Sequence, residues 1–307
     1  MNIQSISIVV PTRGCVNKCK FCVSRMHENN YDTKFDEIAY RKRIKYAAMN
    51  GVNTMILTGT GEALQNTHFL RNLLRVLDKE GHPFPNVELQ TSGVMLMDYK
   101  EVIDELAGKQ GKHYSNMQLL HELGVNTISL SVSDIFDSDN NWEIIGAPKK
   151  QRPSLIELCD FIKRMGFNLR LSLNMTSVYN EKSAKEILEA CKFLGADQIT
   201  FRKLYHSDDD SEQTQWVKAN AVKSWVLEKL NLYIAGSTSN GKINTEGEGT
   251  PLYRLPFGPM AYSIMGMSTV VDDNCMNKES YDQLKYVILR ENGKLYSQWD
   301  DEGSLIF

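Results

Sequence analysis

Three cysteines fall within eight positions of the chain, in the run Cys15-Val16-Asn17-Lys18-Cys19-Lys20-Phe21-Cys22, a C-x3-C-x2-C spacing. Thiolates this close on one stretch of chain suit a metal centre that keeps one coordination position free of protein. A cubane of four irons has four corners, so three cysteines leave one iron open to another ligand, and chemistry can happen at that corner. His27, five residues beyond Cys22, leaves a second reading open, a closed Cys3His zinc site of the structural kind. The other cysteines, Cys159, Cys191 and Cys275, are isolated. Cys159 and Cys191 sit in apolar helical patterns and read as buried structural thiols. Cysteines distributed this way do not make a disulfide framework.

The elements that must position this loop follow from hydrophobic periodicity. A strand is predicted over 6–10, followed by a polar loop to about residue 30 and a helix over 36–50 that Gly51 ends. Arg41, Lys42, Arg43 and Lys45 form that helix's solvated face. Next come a strand over 52–58 and a helix over 68–80 with Thr67 as N-cap and Gly81 closing it. A strand over 87–92 precedes a helical region broken at Gly108 and Gly111 and a strand over 126–133. Helices over 154–165, 183–193 and 212–230 alternate with strands over 168–175 and 198–204. Strand followed by helix, six times over, predicts an α/β fold with a parallel sheet and right-handed crossovers: a partial (β/α)6 TIM-like barrel with an open side.

Residues 1–230 form the barrel domain in this reading. Residues 231–307 form a C-terminal β-rich extension, a small antiparallel appendage covering the open side or the bottom of the barrel. Asn292-Gly293 between two strand-like runs is a strong hairpin signal. The turn-rich stretches 247–251 and 256–259 are candidates to fold over the mouth. Cys275 lies in a polar stretch after a strand-like run, and an ordinary turn is favoured there over a hydrogen-donating or substrate-binding role.

Barrel strands buried on both faces should be almost wholly apolar. These are not. Ile128, Leu130 and Val132 alternate with Ser129, Ser131 and Ser133; Leu169, Leu171 and Leu173 alternate with Arg170, Ser172 and Asn174; Ile199 and Phe201 alternate with Thr200 and Arg202. Val87 and Leu89 likewise alternate with Glu88, Gln90 and Ser92. With side chains changing face at every residue, the apolar set packs under the helices and the polar set lines the interior. An unpaired buried polar group costs about 1–3 kcal/mol, so such a lining implies a polar guest. Tyr205 and His206, just past the sixth strand, lie at the carboxyl edge where barrels place substrates.

The cysteine spacing, with Phe21 before the third cysteine, resembles the signature of the radical SAM superfamily. Leu57-Thr58-Gly59-Thr60-Gly61-Glu62 is similar to the family's glycine-glycine-glutamate stretch, which engages the amino group of S-adenosylmethionine (SAM). Gln90-Thr91-Ser92-Gly93 resembles its threonine-asparagine-glycine segment, with Ser92 in place of asparagine. Ala63 stands where many members carry proline, and no second cysteine cluster accompanies the first. The likeness covers about residues 1 to 205. It implies two cofactors, a [4Fe-4S] cluster on Cys15, Cys19 and Cys22 and SAM beside it. It places Ser129 or Ser131 and Asn174 near the ribose and methionine portions, with Arg202 toward a carboxylate of cofactor or substrate. The activity implied is reductive cleavage of SAM to a 5′-deoxyadenosyl radical that takes a hydrogen atom from a polar substrate. An electron donor such as flavodoxin or ferredoxin is implied as partner.

The formal charge of −3 provides no global positive field. That argues against long nucleic acid and leaves RNA open. A small-molecule or nucleotide substrate is the first reading, and RNA or a protein or peptide the alternative. A zinc- or iron-sulfur-binding structural or sensor protein is the non-enzymatic one. No apolar run approaches the roughly 20 residues that span a bilayer, and the N-terminal residues do not read as a signal peptide, so a cytoplasmic protein is expected.

Overall fold

The computed structural model describes residues 2–25, 34–96, 116–239, 242–255, 260–272, 283–299 and 301–307. Strands β1 (Asn2–Val10), β2 (Thr54–Gly59), β3 (Asn86–Thr91), β4 (Thr127–Val132), β5 (Asn168–Met175) and β6 (Gln198–Lys203) lie side by side in chain order, all parallel. Between them run helices α1 (Glu37–Met49), α2 (Thr67–Glu80), α3 (Asn116–Glu122), α4 (Ser138–Ile145), α5 (Leu155–Arg164) and α6 (Ala184–Phe193). This is the partial parallel barrel that the alternating periods predict. Ile128, Leu130, Val132, Leu169, Leu171 and Leu173 are fully buried in the core shared with the helices.

Local chemistry sets the helix starts. Ser154 with Glu157 and Ser183 with Glu186 form capping boxes at α5 and α6. At α2 the cap is Asn66 rather than the expected Thr67. The Asn66 side chain accepts the Phe69 N–H at 3.0 Å and donates to the Pro11 carbonyl at 2.7 Å, so one amide both starts the helix and ties it to the end of β1. The continuous helix expected over 212–230 is two, α7 (Glu212–Asn220) and α8 (Ser224–Ala235). Between them Ala221 bridges Thr176 and the Val222 N–H donates to the Met175 carbonyl at 2.9 Å. Pairing with the end of β5 there overrides the helical pattern.

Beyond α8, β7 (Ser237–Ser239) and β8 (Lys242–Thr245) form a two-stranded ribbon. Strands β9 (Thr250–Arg254), β10 (Met260–Ile264), β11 (Met267–Asp272), β12 (Gln283–Leu289) and β13 (Leu295–Tyr296) join the main sheet. Its order is β13-β12-β1-β2-β3-β4-β5-β6-β11-β10-β9. β12 runs parallel beside β1, and β11 parallel beside β6; the antiparallel partners lie outside them. The expected appendage is thus a continuation of the sheet at both ends, because β1 and β6 would otherwise each present a row of unpaired backbone groups. The predicted hairpin is present between β12 and β13, turning through Gly293 at φ 73°.

Stretch 247–251 is tied to the end of α8, where the Gly249 N–H donates to the Ile234 carbonyl at 2.9 Å. Residues 256–259, His27, Gly108, Gly111 and Cys275 lie outside the described residues. Among the described residues no helix is long and apolar enough to cross a membrane.

Candidate functional site

The cysteine loop leaves β1 at Val10, and Cys15, Cys19 and Cys22 are half-buried free thiols on it. Backbone bonds seat it on α4. The Lys18 N–H donates to the Gly146 carbonyl and the Lys20 N–H to that of Ile144, each at 3.1 Å. Carbonyls at a helix C-terminus lack intrahelical partners, so the loop and the helix end satisfy each other. Gly146 holds a left-handed φ of 65°, and a Cβ there would lie 2.5 Å from the Lys18 carbonyl oxygen. Helix α4 escapes the sequence reading because it opens in Asp137-Ser138-Asp139-Asn140-Asn141, a turn-like run. Its usable signals were Asp137, which accepts N–H bonds from Asp139 and Asn140, and the glycine at its end.

The glycine turn after β2 packs against the root of that loop. A Cβ on Gly59 would lie 2.7 Å from the Val10 carbonyl oxygen, and one on Gly61 would lie 2.3 Å from Thr12 Oγ1. Only glycines allow this approach. Glu62 follows, 4% exposed. One carboxylate oxygen accepts Thr91 Oγ1 at 2.5 Å; the other accepts the Ser92 N–H at 3.1 Å and Ser92 Oγ at 2.7 Å. Ser92 also accepts a 2.8 Å bond from Asn17 Nδ2. A buried chain from Asn17 through Ser92 to Glu62 therefore links the three stretches singled out in the sequence. Burial pushes the Glu62 carboxyl up, and the Thr91 and Ser92 donors pull it partly back. Burial also raises the Cys15 thiol; the Asn17 N–H at 3.4 Å from its sulfur opposes this, while the charges of Glu62 and Cys22 reinforce it.

The polar set shares the concave face. Glu88 on β3 pairs with Arg170 on β5 across the intervening β4, and Arg170 Nε donates to Gln198 Oε1 on β6 at 2.7 Å. Above this floor Ser129 is buried, Ser131 half-buried, and Asn174 reaches Ser133 Oγ at 3.4 Å. Arg202, in register with Asn174, is half-buried. Thr60 Oγ1, Ser129 Oγ and Arg202 Nε are buried without a hydrogen-bond partner. Tyr205 and His206 are exposed on the loop into α7. From α7, Trp216 reaches Phe21 with ring centroids 6.0 Å apart. Trp216, Asn17 and Gly146 carry no local sequence signal of these roles, since each matters only through a contact distant along the chain.

A family model described as "Radical SAM superfamily" matches residues 9–194. The chain belongs to the radical SAM superfamily. No curated protein matches the sequence. Among solved structures, SuiB from Streptococcus suis bound to S-adenosylmethionine is similar at a TM-score of 0.55 and 14% identity, covering 96% of this chain and 60% of that one. SuiB bound to the precursor peptide SuiA gives 0.54 and 16%, over 96% and 59%. Native anSMEcpe with bound AdoMet and Kp18Cys peptide gives 0.55 and 12%, over 99% and 76%. The chain thus spans about 60% of the length of SuiB.

Radical SAM enzymes use a [4Fe-4S] cluster and SAM, and this site suits both. Three thiols on one loop leave a corner of a cubane free. Glu62 is a buried acid held by neutral donors, a setting that a ligand ammonium fits. The unpartnered hydroxyls of Thr60 and Ser129 and the Arg202 guanidinium suit a diol and a carboxylate. Among the described residues no three His, Cys, Asp or Glu side chains are gathered around a single-ion position.

Proposed function

We propose that this radical SAM protein cleaves SAM reductively and directs the radical to a polar small-molecule or nucleotide substrate held in the barrel. One observation carries the reading: the concave face bears Ser129, Ser131, Asn174 and Arg202 where a closed barrel packs aliphatic side chains. The cluster, when bound, supplies the electron that splits the sulfonium of SAM into methionine and a 5′-deoxyadenosyl radical. The chain's own residues bind and orient. Cys15, Cys19 and Cys22 would hold the cluster. Glu62, fixed by Thr91 and Ser92, takes the ammonium. Ser129, Ser131 and Asn174 meet the ribose and methionine portions, and Arg202 a carboxylate. Phe21 on the cysteine loop and Trp216 on α7 form a tilted aromatic pair. An electron carrier such as flavodoxin or ferredoxin is the expected partner.

The test is anaerobic reconstitution. About four irons and four sulfides per chain and reductant-dependent 5′-deoxyadenosine are expected; zinc in their place, or iron loading with no SAM cleavage, sinks the proposal. A peptide substrate is the second reading, favoured by the peptides bound to SuiB and anSMEcpe. Isotope transfer from a deuterated peptide into 5′-deoxyadenosine would establish it.

A further inference from the structure

We infer that the outer face of the cysteine loop, together with the turn after α4, is the docking surface for an acidic one-electron carrier protein, with Lys18, Lys20, Lys149 and Lys150 as its contacts. This rests on the proposed reductive cleavage, which needs an electron from outside the chain. The loop alternates in and out. Asn17 turns inward, 3% exposed and bonded to Ser92, while Lys18 and Lys20, on either side of Cys19, are exposed. The glycine turn and Glu62 lie on the inner side, and the exposed lysines stand on the side of the loop left to solvent.

The same two residues bring the second half of the surface alongside. The N–H groups of Lys18 and Lys20 are bonded to Gly146 and Ile144, and the chain continues from there into the short helix Lys149–Gln151. Lys149 and Lys150 are exposed on it. Glu143, an acid on this surface, is paired with Arg152 and also senses Lys149 and Lys20. Among the described residues none of the four lysines makes an ion pair. A chain of formal charge −3 thus keeps four exposed lysines outside any ion pair on the cysteine loop and the turn it is bonded to. Complementary charge steers encounter and sets orientation more than it adds affinity, as suits a carrier that must leave after each transfer. In the step itself the carrier loses one electron and the cluster gains it; no atom or proton moves.

The experiment compares two reductants on the reconstituted chain, reading 5′-deoxyadenosine formed from SAM. With reduced flavodoxin as the acidic carrier, Lys149→Glu/Lys150→Glu is expected to lower the rate at least about tenfold, and raising salt from about 50 to 300 mM to slow the unaltered chain. With dithionite, neither change should matter. Lys42→Glu/Lys45→Glu, on exposed positions of α1, should behave as the unaltered chain with both. Equal rates with flavodoxin before and after the reversal, or a salt-independent flavodoxin rate, overturn the inference. Equal losses with both reductants also overturn it and assign the lysines to an anionic substrate such as RNA. Absence of 5′-deoxyadenosine from the unaltered chain with dithionite instead fails the proposed function.

Discussion

Both oxygens of Glu62 are taken by Thr91 and Ser92, yet burial still keeps its carboxyl above the ordinary range. A carboxyl whose folded-state pKa lies above its unfolded one contributes stability at acid pH, below the unfolded value. That contribution is lost as pH rises through the folded value. The unliganded chain therefore carries a penalty at neutral pH that the proposed ammonium would remove. Glu62→Gln should raise the melting temperature of the unliganded chain at neutral pH and flatten its dependence on pH. It should also weaken SAM binding about tenfold to a hundredfold, the loss of a charge-assisted bond worth about 1.5–3 kcal/mol. Differential scanning fluorimetry from pH 4 to 8 and equilibrium dialysis with labelled SAM read the two effects, and a variant that loses stability and affinity together would refute the opposition.

At the scale of the element, the seat of the cysteine loop is the end of α4, and Gly146 makes it possible. Gly146→Ala imposes both a left-handed conformation on a side-chain-bearing residue and a Cβ 2.5 Å from the Lys18 carbonyl. Gly166 separates these effects: its φ is 86°, and a Cβ there meets nothing within 4 Å. Gly166→Ala should cost about 1–2 kcal/mol from conformation alone, with full iron loading. Gly146→Ala should cost at least as much and lower iron retained after gel filtration, because the loop must leave its carbonyls; equal iron in both variants would count against the seat. The helix behind this contact also shows where sequence is readable. Period-two and 3.6-residue patterns disclosed β2 to β6 and the helices α1, α2, α5 and α6, since burial of one face writes itself locally. Short spacings disclosed the cysteines and the glycine turn. Helix α4 is eight residues with a polar first turn, and Asn17 reaches Ser92 across 75 positions, so neither leaves a local pattern. The division of 212–230 into α7 and α8 was illegible for the same reason, being set by the end of β5.

Across the whole molecule, the sheet depends on residues from both ends of the chain. β12 buries Val287, Ile288 and Leu289 fully while pairing with β1 over residues 2–8, and β11 covers the other edge beside β6. Residues 1–230 expressed alone should therefore expose two long apolar edges and aggregate, as light scattering would report, whereas a monodisperse fragment would show the barrel to be independent of its extension. The barrel floor gives a second global test. Glu88, its side chain 5% exposed, is compensated by Arg170, which reaches over β4 and also binds Gln198. Arg170→Met strands that carboxylate. Removing one partner of a fully buried pair costs roughly 3–5 kcal/mol; Arg170 is 31% exposed, which lets water in, so about 2–3 kcal/mol is expected here. Glu88→Gln/Arg170→Met removes the charge with its partner and should recover most of the loss. Urea midpoints of the three chains decide it. If the double variant is no more stable than Arg170→Met, the loss comes from packing of the long arginine stem rather than from the stranded charge, and the floor is held by volume instead of by the ion pair.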